Sequence, residues 1–538
     1  MTKHDRPLHD RPVHDRLTHD RPAHDRPVHD RPTHPSQARR TVVLGCVMLA
    51  MFMSAVEVTI VATALPQIVA KLGGFSLYTW VFAGFLLTQT ATILVFGKLA
   101  DLYGRRPVLI AGIVVFLIGS TLCGFAWSMP ALIGFRLLQG LGAGSIQPVG
   151  VTIIGDLYSP RERPRIQGFL SSVWGFAAIV GPLAGGLIVE VLSWHWIFWI
   201  NVPVGVLAIA GLSIFLREDV AHRQHAIDYP GVALFFVAIT ALLVALMEGG
   251  VGWPWASLPT LVLVLVFAAG LALYFPRERH AREPMIDLGL WKRRLIASIN
   301  VSTLAAGASI IGVTSFVPIY VQGVLGRSAI VAGFALTAMS VGWPLASTLS
   351  GRFLRALDAR RTVRAGGALL FVGAVGLALM PPDAGAFATG ASSFVVGFGM
   401  GLLNTTFIIL IQGSVPWAKR GSATASNVFA RMLGGTFGAA ALGAVLNGAL
   451  ARRFAGTGGV ADIEAVRQMF DSSASDALAP ERHAALAHAL ASGMSEVFAA
   501  LALFAALTMI ATWMVPRREA FAETPVESET NQGPVGGP

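Results

Sequence analysis

Apolar blocks of about 20 residues, the length that a helix needs to cross a bilayer, follow one another from residue 41 to residue 515. Short polar loops separate them. The pattern therefore predicts an all-α membrane protein with fourteen spanning helices. The predicted spans are 42–66, 78–98, 108–127, 130–155, 167–191, 196–216, 230–249, 259–276, 295–321, 329–350, 363–381, 385–412, 421–449 and 494–515.

Composition narrows the class of protein. The chain has 538 residues, of which 54% are hydrophobic and 13% charged, whereas about a quarter of the residues of a soluble domain are charged. These values exclude an ordinary soluble enzyme, a disordered regulator and a nucleic-acid binder, despite a net charge of +10. Cys46 and Cys123 lie inside apolar runs and offer neither a disulfide framework nor a metal-ligand spacing. No metal site is expected.

Lysine and arginine are distributed unevenly between the two sides of the predicted topology. If the N-terminus is inside, 32 of them lie in the N-terminal tail, the inner loops and the C-terminus, and six lie in the outer loops. Basic residues concentrate in the cytoplasmic segments of membrane proteins. The bias predicts an even number of spans and a protein of the cytoplasmic membrane with both termini in the cytoplasm.

The N-terminal tail repeats the pentapeptide HDRP-x over residues 4–34. Its Asp and Arg charges cancel, and a proline in nearly every repeat blocks both helix and sheet. Its seven regularly spaced histidines raise the alternative of metal binding, but this spacing gives no closed ligand set. We expect a disordered and functionally neutral tail over residues 1–40.

One predicted outer loop, 450–493, is long. Its segments at 463–470 and 481–490 have helical spacing but are too polar to span the bilayer. We expect a short helix that lies on the outer rim, and the alternative is a surface on which an adaptor protein docks.

Three glycine-rich segments carry charged or helix-bending residues. The loop between spans 2 and 3 reads GKLADLYGRR, span 4 contains LIGFRLLQGLGAG, and span 5 contains GFAAIVGPLAGG. Glycine allows close approach and tight turns, and a proline within a span bends the helix. For the segment between spans 2 and 3 the alternative is a plain basic loop. For the span 5 segment the alternative is simple helix packing. The candidate residues are Gly97, Asp101, Gly104, Arg105, Arg106, Arg136, Gly181, Pro182, Gly185 and Gly186.

Glu57 is the only carboxylate well inside a predicted span, and Arg136 is a charge within an otherwise apolar span. A charge in hydrocarbon is costly unless it is paired or faces water, so both residues are functional candidates. At about 1.5 Å per residue, Glu57 lies about 13 Å and Arg136 about 9 Å below the outer ends of their spans. The similar depths predict a Glu–Arg pair or a shared cavity, in which the glutamate can titrate.

In their order and positions, these segments resemble the motifs of the major facilitator superfamily, and the chain is similar to its 14-helix drug:proton antiporter branch. GKLADLYGRR resembles the loop 2–3 motif, GPLAGG resembles the span 5 antiporter motif, and Arg136, Gln139 and Gly140 resemble the span 4 motif. The resemblance covers residues 42–515. Further segments that resemble this branch are 193–205, 316–333 and NVFARMLGGTFG around Arg431.

The resemblance implies a major facilitator fold, with two six-helix bundles plus two extra central helices. The spans at 230–276 distinguish this branch from the 12-helix one. The implied organisation is a tail at 1–40, an N-terminal bundle at 41–217, two extra helices and a basic linker at 218–294, a C-terminal bundle at 295–515, and a cytoplasmic tail at 516–538.

The resemblance also implies alternating access around a cavity between the two halves, near the midplane. The loop 2–3 motif then forms a cytoplasmic latch, in which Asp101 caps the start of span 13 near 421–422 and Arg105 meets Asp156. Protonation of Glu57 from outside and its release inside couple the proton gradient to transport. Interhelical hydrogen bonds are an equally good interpretation of the candidate cavity residues, which are Gln89, Asn404, Asn427 and Arg431.

Three features depart from the family pattern. Glu57 stands where many relatives have Asp, and Ala177 replaces a glycine of the fullest antiporter motif. The second half has only a degenerate loop motif at 351–361, which contains Asp358. Such a remnant is consistent with an internal repeat of two six-helix halves.

The function expected from this resemblance is proton-driven export of lipophilic drugs or antibiotics, without a cofactor and without enzymatic activity. The chain lacks the GxxxxGK[ST] phosphate loop, which disfavours an ATP-driven pump. The alternatives are export of one endogenous metabolite, uptake, and a non-transporting receptor on the same fold. The expected partners are a small lipophilic substrate, protons and the bilayer. Neither nucleic acid nor an adaptor protein is indicated.

Overall fold

The structure is a computed structural model, and it describes residues 36–73, 77–218, 228–250, 252–280, 288–381, 385–454 and 480–516. The described part is nearly all helical. The repeats at 4–34 and the predicted helical segment at 463–470 lie outside the described residues.

The first half of the chain folds into membrane helices joined by very short turns. A single residue, Gly104, separates α2 from α3, and α6 and α7 together make one span. Ser128 caps α4 because its side chain accepts a hydrogen bond from the N–H of Ala131 (3.3 Å). The helices are α1 (Gln37–Leu72), α2 (Tyr78–Tyr103), α3 (Arg105–Cys123), α4 (Met129–Leu157), α5 (Arg163–Val191), α6 (Trp196–Trp199) and α7 (Asn201–Phe215).

The second half is also helical, and its longest helix, α12, has 50 residues. A π-helical turn, Tyr320–Val324, extends α11, and a 3₁₀ turn, Trp417–Lys419, precedes α14. The helices are α8 (Tyr229–Glu248), α9 (Leu258–His280), α10 (Leu288–Lys292), α11 (Arg294–Ile319), α12 (Ala329–Ala378), α13 (Gly385–Ser414), α14 (Arg420–Phe454) and α15 (Pro480–Trp513).

The described residues contain 13 helices that are long and apolar enough to cross a membrane. One of them, α12, has 50 residues and would be about 75 Å long if straight, more than twice the hydrocarbon thickness. At Asp358 the backbone φ is 69°, a left-handed conformation that interrupts a helix. Gly342 and Gly373, on either side of Asp358, both pack against one stretch of α13, at Phe394 and Ser392. The chain therefore reverses at Asp358, and α12 supplies two of the fourteen predicted spans.

Buried apolar side chains form two main cores. One is built from α1–α7 with a single side chain of α13, and the other from α10–α15. The remaining long helices, α8 and α9, pack on each other, and α8 also lies against α2 and α14. This arrangement confirms the expected fold of two six-helix bundles plus two extra helices.

Several segments that the sequence assigns to one side of the membrane contact one another. Arg40, at the start of α1, binds Glu162 after α4 (2.8 Å), and hydrogen bonds from Ser159 and Arg40 lower the pKa of Glu162. Arg293, before α11, donates to the carbonyl oxygen of Ser414 (2.8 Å). The loop between α2 and α3 contacts the segment after α7. We call this end of the molecule the loop 2–3 side.

The long loop on the opposite side differs from its prediction. Helix α14 continues to Phe454 and α15 begins at Pro480, which leaves 455–479 between them. The prediction of a separate rim helix at 481–490 is wrong because this segment is the first part of α15. A helix satisfies its own backbone hydrogen bonds, so it can continue beyond the hydrocarbon with polar side chains. Arg452 of α14 pairs with Glu496 of α15 at 2.5 Å.

Candidate functional site

Glu57 of α1 and Arg136 of α4 form an ion pair inside the first bundle. The distance from Glu57 Oε1 to Arg136 Nη1 is 2.5 Å, and both side chains have 0% exposure. The pair that the similar depths predict is therefore present. Removing one partner of a buried ion pair leaves an uncompensated charge, at a cost of about 3–5 kcal/mol.

Polar groups of α2, α4 and α7 complete the surroundings of this pair. Asn201 donates to Glu57 Oε2 (2.6 Å), and Gln139 accepts from Arg136 Nη1 (2.8 Å). Arg136 Nε donates to the carbonyl oxygen of Val81 (3.0 Å). Fixed dipoles thus take the place of water around the two side chains.

The pair is closed to solvent in this conformation. The guanidinium of Arg136 lies 4.3 Å from the centre of the Phe85 ring, and neither charged side chain has exposed surface. Of the two predicted arrangements, a pair and a shared cavity, the structure shows the pair.

Asp101, near the end of α2, contacts the first turn of α14 in the other bundle. Its Oδ1 accepts from the N–H of Gly421 (2.8 Å), and its Oδ2 accepts from the N–H and the hydroxyl of Ser422 (both 2.7 Å). The first N–H groups of a helix lack intrahelical partners and carry partial positive charge, so a carboxylate is favoured there. The contact implied by the family resemblance is present.

Arg105, at the start of α3, contacts Trp417 and Asp156 as well as Asp101. Its Nη2 donates to the carbonyl oxygen of Trp417 (2.6 Å), and its guanidinium lies 3.5 Å from the centre of the Trp417 ring. Its Nε is 3.2 Å from Asp156 Oδ2, and Nη2 is 3.3 Å from Asp101 Oδ1. The side chain is almost fully buried, so these charge-assisted contacts are weakly screened.

The sequence pattern does not single out three members of this network: Glu218, Trp417 and Arg420. Glu218 accepts from the N–H groups of Arg105 (3.0 Å) and Arg106 (2.9 Å), and thereby caps α3. Arg420 donates to Asp156 Oδ1 (2.9 Å). In sequence, these residues look like ordinary loop residues of a basic side. The side chain of Arg106 itself stays within the first bundle, where it donates to the carbonyl oxygen of Ser213 (2.7 Å).

Both glycines of the loop 2–3 motif occupy positions that disfavour a side chain. A Cβ on Gly97 would lie 2.2 Å from the Cβ of Ala425 in α14, so only glycine lets α2 and α14 approach this closely. Gly104 has φ 93°, a conformation that other residues rarely adopt. The two glycines therefore permit the cross-bundle contact and the turn from α2 to α3.

The glycines of the span 5 motif lie on two different faces of α5. A Cβ on Gly181 would lie 1.9 Å from Thr59 Oγ1 of α1, and Gly185 is similarly close to another α1 threonine. A Cβ on Gly186 would meet nothing within 4 Å, and Pro182 is exposed. Gly181 and Gly185 therefore let α5 pack closely on α1, whereas Gly186 has no such role.

The predicted cavity residues fall into two groups. Asn427 of α14 is buried and donates to two polar side chains of α11 at 2.8 and 3.4 Å, which fits the interhelical interpretation, and Gln89 is also buried. Asn404 and Arg431 are half-buried. Within the described ranges, Arg431 has no hydrogen bond or ion pair.

Further contacts join the two bundles toward the loop 2–3 side. Ser171 Oγ of α5 is 3.3 Å from Ser347 Oγ of α12, and Gln412 of α13 donates to the carbonyl oxygen of Val151 in α4 (3.3 Å). Together with the contacts of Asp101 and Arg105, they close this end of the interface between the bundles.

The family of the chain follows from its fold, its motifs and a profile match. The sequence matches the Major Facilitator Superfamily profile over residues 47–231 and 229–439. The chain therefore belongs to the Major Facilitator Superfamily.

Similar proteins include multidrug transporters. Multidrug resistance protein 3 of Bacillus subtilis (strain 168) is 37% identical over 404 residues, which are 75% of this chain and 79% of the relative. Multidrug transporter protein MdtP of the same organism is 35% identical over 415 residues, 76% of each chain. The crystal structure of the human organic anion transporter MFSD10 (TETRAN) superposes with a TM-score of 0.59 at 13% identity, and the match covers 89% of this chain and 99% of that one. This last likeness shows the fold alone.

Proposed function

We propose that this protein is a proton-coupled antiporter that exports lipophilic drugs or antibiotics by alternating access. The observation that carries the proposal is the contact of Asp101 with Gly421 and Ser422, in which one bundle holds the first turn of a helix of the other. Such a contact rests on a few charge-assisted hydrogen bonds. It is a latch that must break when the loop 2–3 side opens.

In this proposal the loop 2–3 side faces the cytoplasm. The support is the distribution of Lys and Arg, 32 inside against six outside, together with the general concentration of basic residues in cytoplasmic segments. The closed latch then belongs to the conformation that is sealed toward the cytoplasm. Breaking it opens a path from the cytoplasm to the cavity between the bundles.

Glu57 carries the proton in this mechanism. While the site is closed, Glu57 is held by Arg136 and Asn201. Protonation from the outer side removes its charge, and the attraction that holds α1 to α4 weakens. Release of the proton to the cytoplasm restores the pair. The proton can shift the conformational equilibrium only by the difference in its affinity for the two states.

The substrate class rests on the relatives, two of which are named multidrug proteins. Asn404 and Arg431, both half-buried, are the polar groups that we propose orient a substrate between the bundles. The proton gradient supplies the energy, and no cofactor enters the scheme. The partners of the protein in this proposal are the substrate, protons and the bilayer of the cytoplasmic membrane.

Transport in proteoliposomes tests the proposal. The purified full chain is reconstituted, a pH gradient of either sign is imposed, and movement of a panel of lipophilic fluorescent drugs is recorded. The proposal predicts movement of drug against its own gradient, opposite to the proton flow, and its loss when an ionophore dissipates the pH gradient. Proton-coupled movement of one metabolite with none of the drugs would favour a dedicated exporter. Absence of any coupled flux would favour a receptor.

A further inference from the structure

A cavity of about 960 Å³ lies in the second bundle at the loop 2–3 side, and it shares no lining residue with the latch. Its lining comes from the break in α12, the end of α13 and the two residues Val515 and Pro516 after α15. The cavity therefore lies where helix ends of one bundle meet the membrane surface.

Positive charge dominates this cavity. Four arginines line it, Arg355, Arg360, Arg361 and Arg364, against one carboxylate, Asp358. Asp358 already accepts a hydrogen bond from the N–H of Arg361 (2.9 Å). Its ion pair with the same residue is long, at 4.0 Å, with both side chains mostly exposed, so it neutralises little of the charge.

The remainder of the lining suits a ligand that has an apolar part. Ile409, Leu410 and Val515 contribute apolar surface beside the arginines. Arg364 lies 4.1 Å from the centre of the Trp513 ring, and tryptophan is typical of the membrane interface. Arg360 Nε is buried without a hydrogen-bond acceptor in the part of the chain that the structure describes. A buried donor of this kind favours a ligand that supplies an acceptor.

We propose that this cavity binds the headgroup of an anionic phospholipid. Guanidinium groups match phosphate oxygens in pairs of hydrogen bonds, and basic pockets between membrane helices on the cytoplasmic side are suited to anionic headgroups. The phosphate then lies among the arginines, and the acyl chains leave along the apolar wall. A bound lipid would bridge α12, α13 and the end of α15.

Native mass spectrometry of the full chain in detergent tests the proposal, with phosphatidylglycerol as the ligand and phosphatidylcholine as the neutral comparison. The test variant is Arg355→Gln with Arg360→Gln, and the matched control is Arg453→Gln, an exposed arginine near the other end of α14. We expect the wild type and the control to prefer phosphatidylglycerol. Removing two charges should weaken its binding by about 30-fold, and the paired Lys substitutions should restore most of the binding. The melting temperature of each variant is measured to verify folding.

Three results would overturn the proposal. The first is equal phosphatidylglycerol binding by the wild type and the folded double Gln variant. The second is displacement of the lipid by inorganic phosphate at equal concentration, which would indicate a site for a soluble anion. The third is binding of phosphatidylglycerol only after residues 517–538, which contain four glutamates, have been deleted. That result would assign the cavity to the acidic end of the chain itself.

Discussion

The carboxylate of Asp101 binds both the backbone N–H and the hydroxyl of Ser422, 321 positions further along the chain. Asp358, in the degenerate motif of the second half, stands seven residues after Gly351, as Gly104 stands seven after Gly97. Its side chain binds the N–H of Arg361, only three residues away. Both carboxylates cap the start of a helix, but the capped helix belongs to the other bundle only in the case of Asp101. Of these two carboxylates, only Asp101 therefore joins the two bundles.

This asymmetry predicts different effects for two matched substitutions. Asp101→Asn replaces charge-assisted hydrogen bonds by neutral ones and should weaken the latch by about 1–2 kcal/mol. The loop 2–3 side should then open about 5–30 times more often, and transport should fall while substrate binding persists. Asp358→Asn should change neither.

The measurement is the labelling rate of a single cysteine at Val428 of α14, which is buried in a cluster with residues of α2 and α8, in a background without Cys46 and Cys123. Asp101→Asn should raise this rate and Asp358→Asn should leave it unchanged. A wild-type labelling rate together with wild-type transport in Asp101→Asn would contradict the latch.

Two glycines of α5 form a second matched pair. Gly181→Ala should destabilise the protein by about 1–3 kcal/mol because the new methyl group collides with Thr59. Gly186→Ala enters open space and should be neutral. Melting temperatures and export rates of the two variants provide the comparison. Thr59→Ala, added to Gly181→Ala, should recover part of the loss, and equal melting temperatures for the two single variants would contradict this account of the packing.

The orientation of the chain gives a third prediction. Single cysteines at positions 256 and 285, again in a background without Cys46 and Cys123, report the two sides of the pair of extra helices. An impermeant reagent added to intact cells should label position 256 and spare 285, because the basic segment around 285 is held in the cytoplasm. The reverse labelling pattern would invert the topology.

Substitution of Arg431 and of Arg136 by Gln should have different effects on the stability of the protein. Arg431 has no ion pair within the described residues, so Arg431→Gln should preserve the melting temperature while it weakens substrate binding. Arg136→Gln leaves Glu57 buried and unpaired, and should cost about 3–5 kcal/mol of stability. A comparable fall in the melting temperature of Arg431→Gln would show that Arg431 is structural.

Much of the fold could be predicted from local pattern. Apolar length predicts the spans, and helical rise alone brings Glu57 and Arg136 to similar depths, where the structure pairs them at 2.5 Å. The apolar pattern does not show where a helix begins or ends outside the membrane. Helix α15 begins at Pro480, before the predicted span at 494–515, because a helix can extend past the membrane without exposing unpaired backbone groups.

The contacts of the latch are less predictable than its motif. Asp101 and Arg105 follow from a recognisable segment, but Glu218 and Trp417 are distant in sequence and have no distinctive spacing. Their roles depend on which helix ends the tertiary fold brings together. The same holds for the dry surroundings of Glu57, since Asn201 reaches it only through the packing of α7 against α1 and α3.

The central claim is that Glu57 is the group that binds and releases the coupled proton. Substrate-induced proton release from the purified protein in weakly buffered detergent solution tests it directly, with the pH of the solution recorded as the drug is added. Glu190→Gln, which removes an exposed carboxylate near the end of α5, serves as the control. Glu57→Asp keeps a carboxylate and should retain a signal with a shifted pH optimum.

Glu57→Gln keeps the size and hydrogen-bonding capacity of the side chain but cannot titrate. The account predicts that the wild type and Glu190→Gln release protons when drug binds, and that Glu57→Gln binds drug without releasing any. Proton release by Glu57→Gln at the wild-type level would contradict the account, and Glu57 would then be a structural partner of Arg136.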